Sequence, residues 1–453
     1  MCKTAPMEHR GDAISTPRPP SGGPHPHLAN LVAHPPVPPA DLDEFRSAAL
    51  AFLDAHATPK VADGPFEWGV GDDFVGIVEE PDPETEALAI AAAKEWAATR
   101  WNAGFGWLTG PVDQGGAGLT GEHLRIYRGL ESGYEVADQS IFMIALGIVG
   151  PTIAAHARPE IAAQYLAPIH RGELICCQLF SEPEAGSDLA NVQARAVRDG
   201  DDWLITGQKV WTSNAQHAQI GEIICRHDPD APKHAGLTAF LVDMTAPGVE
   251  VRPLRQMTGG AGFNEVFFTE VRVPDSHRLG EVGEGWKVAT TTLMNERSSI
   301  GSGMGLGRGP GPFERLIELT RVMGKADDPI VRDKLMKLYI GNRVASYTGK
   351  RGAAAIKAGR LPGPELSVLK LANTLNLLAT ADYAAEVLGP KLCADTGEWG
   401  TFAWTKLVGS APGGRLGGGT DEIQRNIIGE RVLGLPGEPR NDKDVPWIDV
   451  PRS

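Results

Sequence analysis

Residues 177–188 read CQLFSEPEAGSD, and residues 207–214 read GQKVWTSN. Residues 181–188 hold one proline, one glycine, two hydroxyls and three carboxylates, a composition that disfavours both helix and strand. We therefore expect a shaped loop that offers backbone N–H groups and serine hydroxyls to a ligand. Residues 192–197 then alternate like a half-buried strand, and the chain returns after an acidic turn. The sequence predicts a hairpin with this polar loop at its entry and an aromatic and hydroxyl patch at its exit, both facing one flat ligand.

These two segments resemble the flavin-binding signatures of the acyl-CoA dehydrogenase family, which are (T/S)-E-P-x-A-G-S-D and Q-K-x-W-(I/T)-(T/S)-N. Two long signatures at the family's separation are far more specific than a single glycine-rich motif. The resemblance covers roughly residues 41–438. It implies an α+β fold with an N-terminal helical domain, a central β-barrel and a C-terminal four-helix bundle, and it implies FAD as the cofactor.

Composition and charge exclude several classes of protein. The chain has 453 residues, which predicts about three domains of ~150 residues, and its formal net charge of −14 argues against nucleic-acid and anionic-membrane partners. Its five cysteines include no Cys-x-x-Cys pair, so we expect no metal site and a reducing compartment. No apolar run approaches the ~20 residues that cross a bilayer, and the N-terminus lacks the apolar core of a signal peptide. A cytoplasmic location is therefore the default prediction. A mitochondrial leader is the weaker alternative, because residues 1–30 hold Glu8 and Asp12 among few arginines.

Hydrophobic periodicity divides the chain into five segments. Residues 1–40 are rich in Pro, Gly, His and Ser and predict a disordered tail, with polyproline recognition as the alternative. Residues 41–176 show helical patterns, and residues 177–285 continue as short β-branched runs that favour a barrel or sandwich over a Rossmann sheet. Residues 286–438 return to helical periodicity, and residues 439–453 are predicted as a second tail.

The long helical patterns near the C-terminus bear on assembly. The patterns over residues 329–357 and 365–388 resemble antiparallel bundle helices, and the first carries apolar residues on more than one face. Because the family buries these helices against one another, the resemblance implies a homo-oligomer, a tetramer built as a dimer of dimers. The family's contact with the FAD of a neighbouring subunit is poorly matched at residues 321–324.

Dehydrogenation of a thioester needs a base for the Cα proton, an acceptor for the Cβ hydride and donors to the thioester oxygen. In most of the family the base is a glutamate just before the last helix, but Gly418 stands at that position. Glycine cannot take a proton. Gly418 and Gly419 then form a flexible turn before a helix capped by Thr420, with N–H groups that can hold an oxygen.

A minority of the family, similar to isovaleryl-CoA and long-chain acyl-CoA dehydrogenases, carries the base on the first helix after the barrel, just before an arginine. Glu296 and Arg297 occupy this position. By spacing alone, a glutamate next to an arginine on a helix is usually a surface ion pair. Together with the missing carboxylate at Gly418, the resemblance makes Glu296 the predicted catalytic base.

The resemblance also carries ligand contacts onto this chain. Ser181 matches a hydroxyl at the pyrimidine edge of the flavin, Ser213 matches one near N5, and Ser187 matches a residue near the cofactor phosphates and the substrate. The predicted cofactor-binding residues are Gln178, Phe180, Ser181, Gly186, Ser187, Trp211, Thr212, Ser213, Thr420 and Glu422. The predicted substrate-binding residues are Ser187, Arg297, Gly418 and Gly419. For Trp211, burial in the barrel core is the alternative.

Three functions compete. The resemblance first implies an acyl-CoA dehydrogenase of fatty-acid β-oxidation that forms a 2-enoyl-CoA and passes electrons to an electron-transfer flavoprotein. An acyl-CoA oxidase shares the fold but usually has a further C-terminal domain, for which we expect no room. A non-catalytic subunit of a heteromeric dehydrogenase would have lost its base at Gly418, and Glu296 argues against it.

Overall fold

The computed structural model describes residues 35–61, 64–77, 81–301, 311–358, 364–439, 442 and 444–450. The first domain is helical and consists of α1 (Leu42–His56), α2 (Pro83–Asn102), α3 (Gly121–Glu131), α4 (Gly150–His156) and α5 (Pro159–His170), with one small ladder of β1 (Thr58–Pro59) and β2 (Tyr134–Glu135). Helix α1 begins where the Asp41 carboxylate accepts the N–H groups of Asp43 and Glu44. Its buried face, which includes Phe45 and Phe52, belongs to one apolar core with α2 and α3. A π-helical turn, Ala145–Val149, leads into α4.

The middle domain is a β-sheet. Its strands are β3 (Cys176–Leu179), β4 (Arg195–Asp199), β5 (Asp202–Ser213), β6 (Ile220–Arg226), β7 (Leu237–Asp243), β8 (Val249–Leu254), β9 (Phe263–Pro274) and β10 (Arg278–Leu279). They pair in the order β10-β7-β6-β4-β5-β9-β8, and β3 pairs with β6 in parallel. Strands β4 and β5 form the predicted hairpin, with Asp199 opposite Asp202. In the described part of the chain nothing pairs β8 with β10, so the structure shows a sheet domain where the resemblance implied a closed barrel.

The last domain is helical again. It comprises α6 (Gly285–Gly301), α7 (Phe313–Val322), α8 (Pro329–Lys357), α9 (Glu365–Leu388), α10 (Trp404–Gly414) and α11 (Asp421–Ile427). Helices α7 to α10 share an apolar core around the fully buried Trp404 and Leu407. Among the described residues, we find no helix with the length and apolar character that a membrane crossing requires.

The long connection between α1 and α2 joins the first domain to the last one. The guanidinium of Arg315 on α7 donates to the carbonyl oxygens of Phe74 at 3.1 Å and Asp73 at 2.5 Å. The Val75 side chain is fully buried in the core of the last domain. Residues 73–75 of this connection therefore pack against the last domain.

The structure describes part of each predicted tail. Of the N-terminal tail, residues 1–34 lie outside the described residues, but Pro38 is buried and His123 Nε2 donates to the Ala40 carbonyl at 3.0 Å. Near the C-terminus, Trp447 is buried against the sheet domain, its indole N–H donates to Asn191 Oδ1 at 2.8 Å, and the Arg226 guanidinium lies 4.6 Å from its ring centroid. These contacts fix the described residues of two segments that were predicted as tails.

Candidate active site

The loop that opens the sheet domain is held by a buried ion pair. The Glu182 carboxylate accepts the backbone N–H of Gln193 at 2.6 Å and of Ala194 at 3.0 Å, and it pairs with Lys209 Nζ at 2.7 Å. The Lys209 side chain is fully buried and also donates to the Phe180 carbonyl at 3.1 Å. The Glu182 and Lys209 side chains are both buried away from water, so this ion pair is stable only while these hydrogen-bond partners are in place. It therefore fixes the shape of the loop against β4 and β5.

A bulge at the end of β5 turns Trp211 outward. The pairing of β5 with β9 shifts between Lys209 and Thr212, and Trp211 has φ +60°, which is uncommon for a residue other than glycine. The Trp211 side chain is 60% exposed, so the alternative of a core tryptophan is wrong. Thr212 points the other way, and its hydroxyl is buried without a hydrogen-bond partner in the described structure.

Helix α6 carries Glu296, which contacts β3, the strand that begins the first signature. Gln178 Nε2 on β3 donates to Glu296 Oε2 at 3.3 Å. Burial raises the pKa of the Glu296 carboxyl above its ordinary value, against the opposing effects of the Gln178 hydrogen bond and of the positive charges of Arg297 and Lys370. A carboxylate with a raised pKa and one weak donor is a stronger base than a solvated surface glutamate.

The glycine loop before α11 is anchored by two side chains. Lys370 Nζ donates to the Gly419 carbonyl at 2.8 Å, and Gln424 Nε2 donates to the Gly418 carbonyl at 2.9 Å. Gly418 and Gly419 have φ +67° and +87°, so a side chain at either position is strained. The Thr420 hydroxyl accepts the N–H of Ile423 at 3.3 Å and caps α11, as expected. Because Lys370 also affects the pKa of Glu296, the anchored loop and Glu296 share one electrostatic neighbourhood.

Two other predicted contact residues, Arg297 and Glu422, interact with residues of their own helices. Arg297 Nε donates to the Leu293 carbonyl of its own helix at 3.0 Å, and burial lowers the pKa of its guanidinium. The Glu422 side chain is mostly exposed and pairs only loosely with Arg425, at 3.5 Å. Lys370 was missed by sequence reasoning, since a lysine in a helical pattern carries no local signal of the loop that it holds.

The residues present fit a flavin. The Thr212 hydroxyl and the Gln424 Oε1 atom are buried and lack a hydrogen-bond partner within the described residues, which is uncommon for such atoms. Trp211, which is exposed, precedes Thr212 in β5, and Ser181 and Ser213 are partly buried residues. An exposed aromatic ring suits the face of a flat ligand, and buried polar atoms without a partner suit its polar edges.

Family models match the sheet domain and the last helical domain. A model described as the acyl-CoA dehydrogenase middle domain matches residues 177–271, and one described as the acyl-CoA dehydrogenase C-terminal domain matches residues 283–433. Acyl-CoA dehydrogenase IpdE1 of Mycobacterium tuberculosis is 34% identical over 409 residues, which cover 88% of this chain and 99% of the relative. Acyl-CoA dehydrogenase FadE34 of the same organism is 42% identical over 287 residues, which cover 63% of this chain and only 39% of FadE34.

Solved structures share this architecture over most of the chain. The structure described as "Tcur3481-Tcur3483 steroid ACAD" has a TM-score of 0.66 and 25% identity, and the match covers 88% of this chain and 99% of that one. The ChsE4-ChsE5 complex from Mycobacterium tuberculosis has a TM-score of 0.63 and 26% identity, with 88% and 98% covered. The predicted order of helical, sheet and helical domains is confirmed.

Proposed function

Because this chain belongs to the acyl-CoA dehydrogenase family and is therefore an oxidoreductase, we propose that it converts an acyl-CoA thioester to the 2-enoyl-CoA with FAD as cofactor and Glu296 as the base. When bound, FAD supplies the acceptor for the hydride that leaves Cβ. Glu296 takes the proton from Cα, which the neighbouring thioester has acidified. The observation that carries the proposal is the contact of Glu296 with Gln178, at the first residues of the flavin signature.

The other predicted residues receive supporting roles. The backbone N–H groups of Gly418 and Gly419 would hold the thioester oxygen, in a loop whose carbonyls are already occupied by Lys370 and Gln424. Cofactor contacts are proposed for the polar loop, for the end of β5 and for the start of α11. These contacts comprise Gln178, Phe180, Ser181, Gly186, Ser187, Trp211, Thr212, Ser213, Thr420 and Glu422. Ser187 and Arg297 would lie next to the substrate.

The test is the rate at which an acyl-CoA reduces the protein-bound flavin in stopped flow. We expect Glu296→Gln to bind acyl-CoA and to reduce at least ~10²-fold more slowly, because the amide keeps the shape but cannot take a proton. Glu284→Gln is the matched control, since Glu284 is a carboxylate that precedes α6 and pairs with Lys287 at the surface. Reduction of Glu296→Gln at the wild-type rate would refute the assignment.

The relatives support a proposal about the substrate class. A structure with the same fold is described as a steroid acyl-CoA dehydrogenase, so we propose a bulky cyclic acyl group rather than a straight chain. A panel of octanoyl-CoA, cyclohexane-1-carbonyl-CoA and a steroid carboxyl-CoA thioester tests this proposal by the rate of flavin bleaching with an artificial acceptor. Fastest bleaching with octanoyl-CoA would contradict it. The β-oxidation role and the cytoplasmic location stay predictions.

Assembly and the electron acceptor are proposed in the same way. Helix α8 exposes several large apolar side chains, namely Ile330, Met336, Tyr339, Ile340, Val344 and Tyr347. Such a stripe on a bundle helix supports an oligomer, either the dimer of dimers implied by the resemblance or a heteromer such as the ChsE4-ChsE5 complex. An electron-transfer flavoprotein is the proposed acceptor. Reoxidation by oxygen at a comparable rate would favour an acyl-CoA oxidase instead.

A further inference from the structure

A second carboxyl lies under the helix that carries Glu296. Glu222 on β6 is fully buried, and its strand neighbours Ile220 and Ile224 belong to the apolar core between the sheet and the first domain. Glu222 Oε1 lies 2.5 Å from the hydroxyl of Thr292 on α6. Its other oxygen, Oε2, is buried with no hydrogen-bond partner among the described residues. A carboxyl this poorly satisfied is unusual in a core and calls for a reason.

Two contacts between the sheet and α6 lie side by side. Gln178 on β3 and Glu222 on β6 are register partners, so their side chains leave the same face of the sheet. Gln178 reaches Glu296, and Glu222 reaches Thr292. Thr292 and Glu296 are four residues apart on α6 and thus lie on one face of that helix. The Glu222 contact therefore holds the turn of α6 that immediately precedes Glu296.

The Thr292 hydroxyl continues this contact into the first domain. It lies 3.1 Å from the hydroxyl of Thr152 on α4, which in turn donates to the Ile148 carbonyl at 2.9 Å. Asn295, the residue before Glu296, contacts the same Thr152 hydroxyl at 3.4 Å. Glu222 is thus the sheet end of a short polar chain that links β6, α6 and α4.

Resting on the function proposed above, we propose that Glu222 is a positioning residue for Cα proton abstraction. As the uncharged acid it holds Thr292, and with it the turn of α6 that sets Glu296 beside Gln178. If Glu222 were ionised, its carboxylate would require water or a cation inside an apolar core. Helix α6 would have to move to make room for that water or cation. A displacement of about 1 Å at a reacting group is enough to cost ~10²-fold in rate.

The surroundings of Glu222 keep it uncharged at neutral pH. Burial raises the pKa of its carboxyl to about 8, against the lowering effect of the Thr292 hydrogen bond. Cys176 on β3 faces it as a thiol whose pKa burial also raises. On α4, burial and the nearby Lys287 lower the pKa of His156, which contacts the Thr291 hydroxyl. Strand β7 contributes apolar Ala239 and Leu241, and α6 carries the carboxyl of Glu296 four residues after Thr292.

The experiment follows flavin reduction from pH 6 to 9.5 with the member of the acyl-CoA panel that reduces the wild-type protein fastest. We expect the wild-type rate to fall up to about tenfold per pH unit above pH ~8, where Glu222 ionises. Glu222→Gln, uncharged at every pH, should stay within about threefold of the wild-type rate at pH 7 and lack this alkaline fall. Glu222→Leu should lower the rate by at least about tenfold while the Kd of the acyl-CoA stays within about twofold.

An infrared titration of protein labelled with ¹³C-glutamate gives a second readout that needs neither turnover nor the leucine variant. The wild-type protein should show a protonated-carboxyl band that disappears near pH 8 and is missing from Glu222→Gln. An alkaline fall shared by wild type and Glu222→Gln, or no such band, would overturn the inference alone. Flavin reduction at the wild-type rate in Glu296→Gln would instead overturn the proposed function. The two failures are therefore distinguishable.

Discussion

We expect Glu222→Gln to remove a pH-dependent loss of folding stability. The wild-type protein undergoes this loss as the pH rises above mildly acidic values. In the folded protein Glu222 keeps its proton up to pH about 8, whereas an unfolded chain releases it near the ordinary value of 4.5. Between these values the folded state binds more protons than the unfolded state, so the stability contributed by this group falls as pH rises. The interval of 3.5 pH units at ~1.36 kcal/mol each amounts to about 5 kcal/mol.

The difference in melting temperature between Glu222→Gln and wild type measures this loss. An unfolding entropy of ~2.1 cal/mol/K per residue gives about 1 kcal/mol/K for a chain of 453 residues, so the expected gain is about 5 °C. The difference should grow steadily from pH 4.5 to pH 8 and then level off, because Glu222 is ionised in both states above its folded pKa. Calorimetric scans at one fixed rate, with FAD in constant excess, provide the assay.

Glu284→Gln is the control for this series. Hydrogen bonds from the Glu281 N–H and Lys287 hold the pKa of Glu284 below its ordinary value. Its stabilising contribution is therefore present above the unfolded pKa and is lost only as pH falls through the folded one. The control should give a flat difference between pH 5 and pH 8. A flat difference for Glu222→Gln as well would mean that Glu222 is ionised in the folded protein, and the reasoning would be refuted.

Three further predictions concern the loop, the glycine turn and the exposed helix. Lys209→Met should destabilise the protein by about 3–5 kcal/mol and release flavin, because it leaves Glu182 buried and unpaired, and adding Glu182→Leu should restore much of the urea midpoint. Gly419→Ala should cost about 1–2 kcal/mol of stability and weaken the acyl-CoA binding that calorimetry measures. Gly413→Ala in α10, where a methyl group meets open space, should not destabilise the protein and should leave binding unchanged. Ile340→Glu should lower the oligomer mass in light scattering, and an unchanged mass would remove α8 from the interface.

Local signals in the sequence were enough to predict the loop over residues 181–188 at the start of the sheet domain. A proline, a glycine and several carboxylates in eight residues cannot form regular structure, so a loop followed by a hairpin was predictable without any partner. The capping role of Thr420 was predictable for the same reason, since it involves only its own helix. The division into helical, β and helical domains followed from hydrophobic periods, which are also local.

Long-range packing decided what the sequence did not reveal. The C-terminal segment had no helical or β period, yet Trp447 is buried because Asn191 and Arg226, more than two hundred residues earlier in the chain, offer it a hydrogen bond and a cation. Similarly, the described strands do not close into the barrel that the resemblance implied, since closure depends on which edges meet in space.

Glu296 on α6 and Glu222 beneath it show the same division. Glu296 was singled out because the residues around it match a family pattern, whereas nothing in the sequence around Glu222 sets it apart from a surface glutamate. Its environment arises only when β3, β6 and α6 pack together, because burial raises the pKa of its carboxyl by more than the Thr292 hydrogen bond lowers it. The sequence by itself determined the order of domains and the loop chemistry, since these depend on neighbouring residues. The tertiary structure decided which side chains are buried away from water, and therefore which carboxyls have a raised pKa.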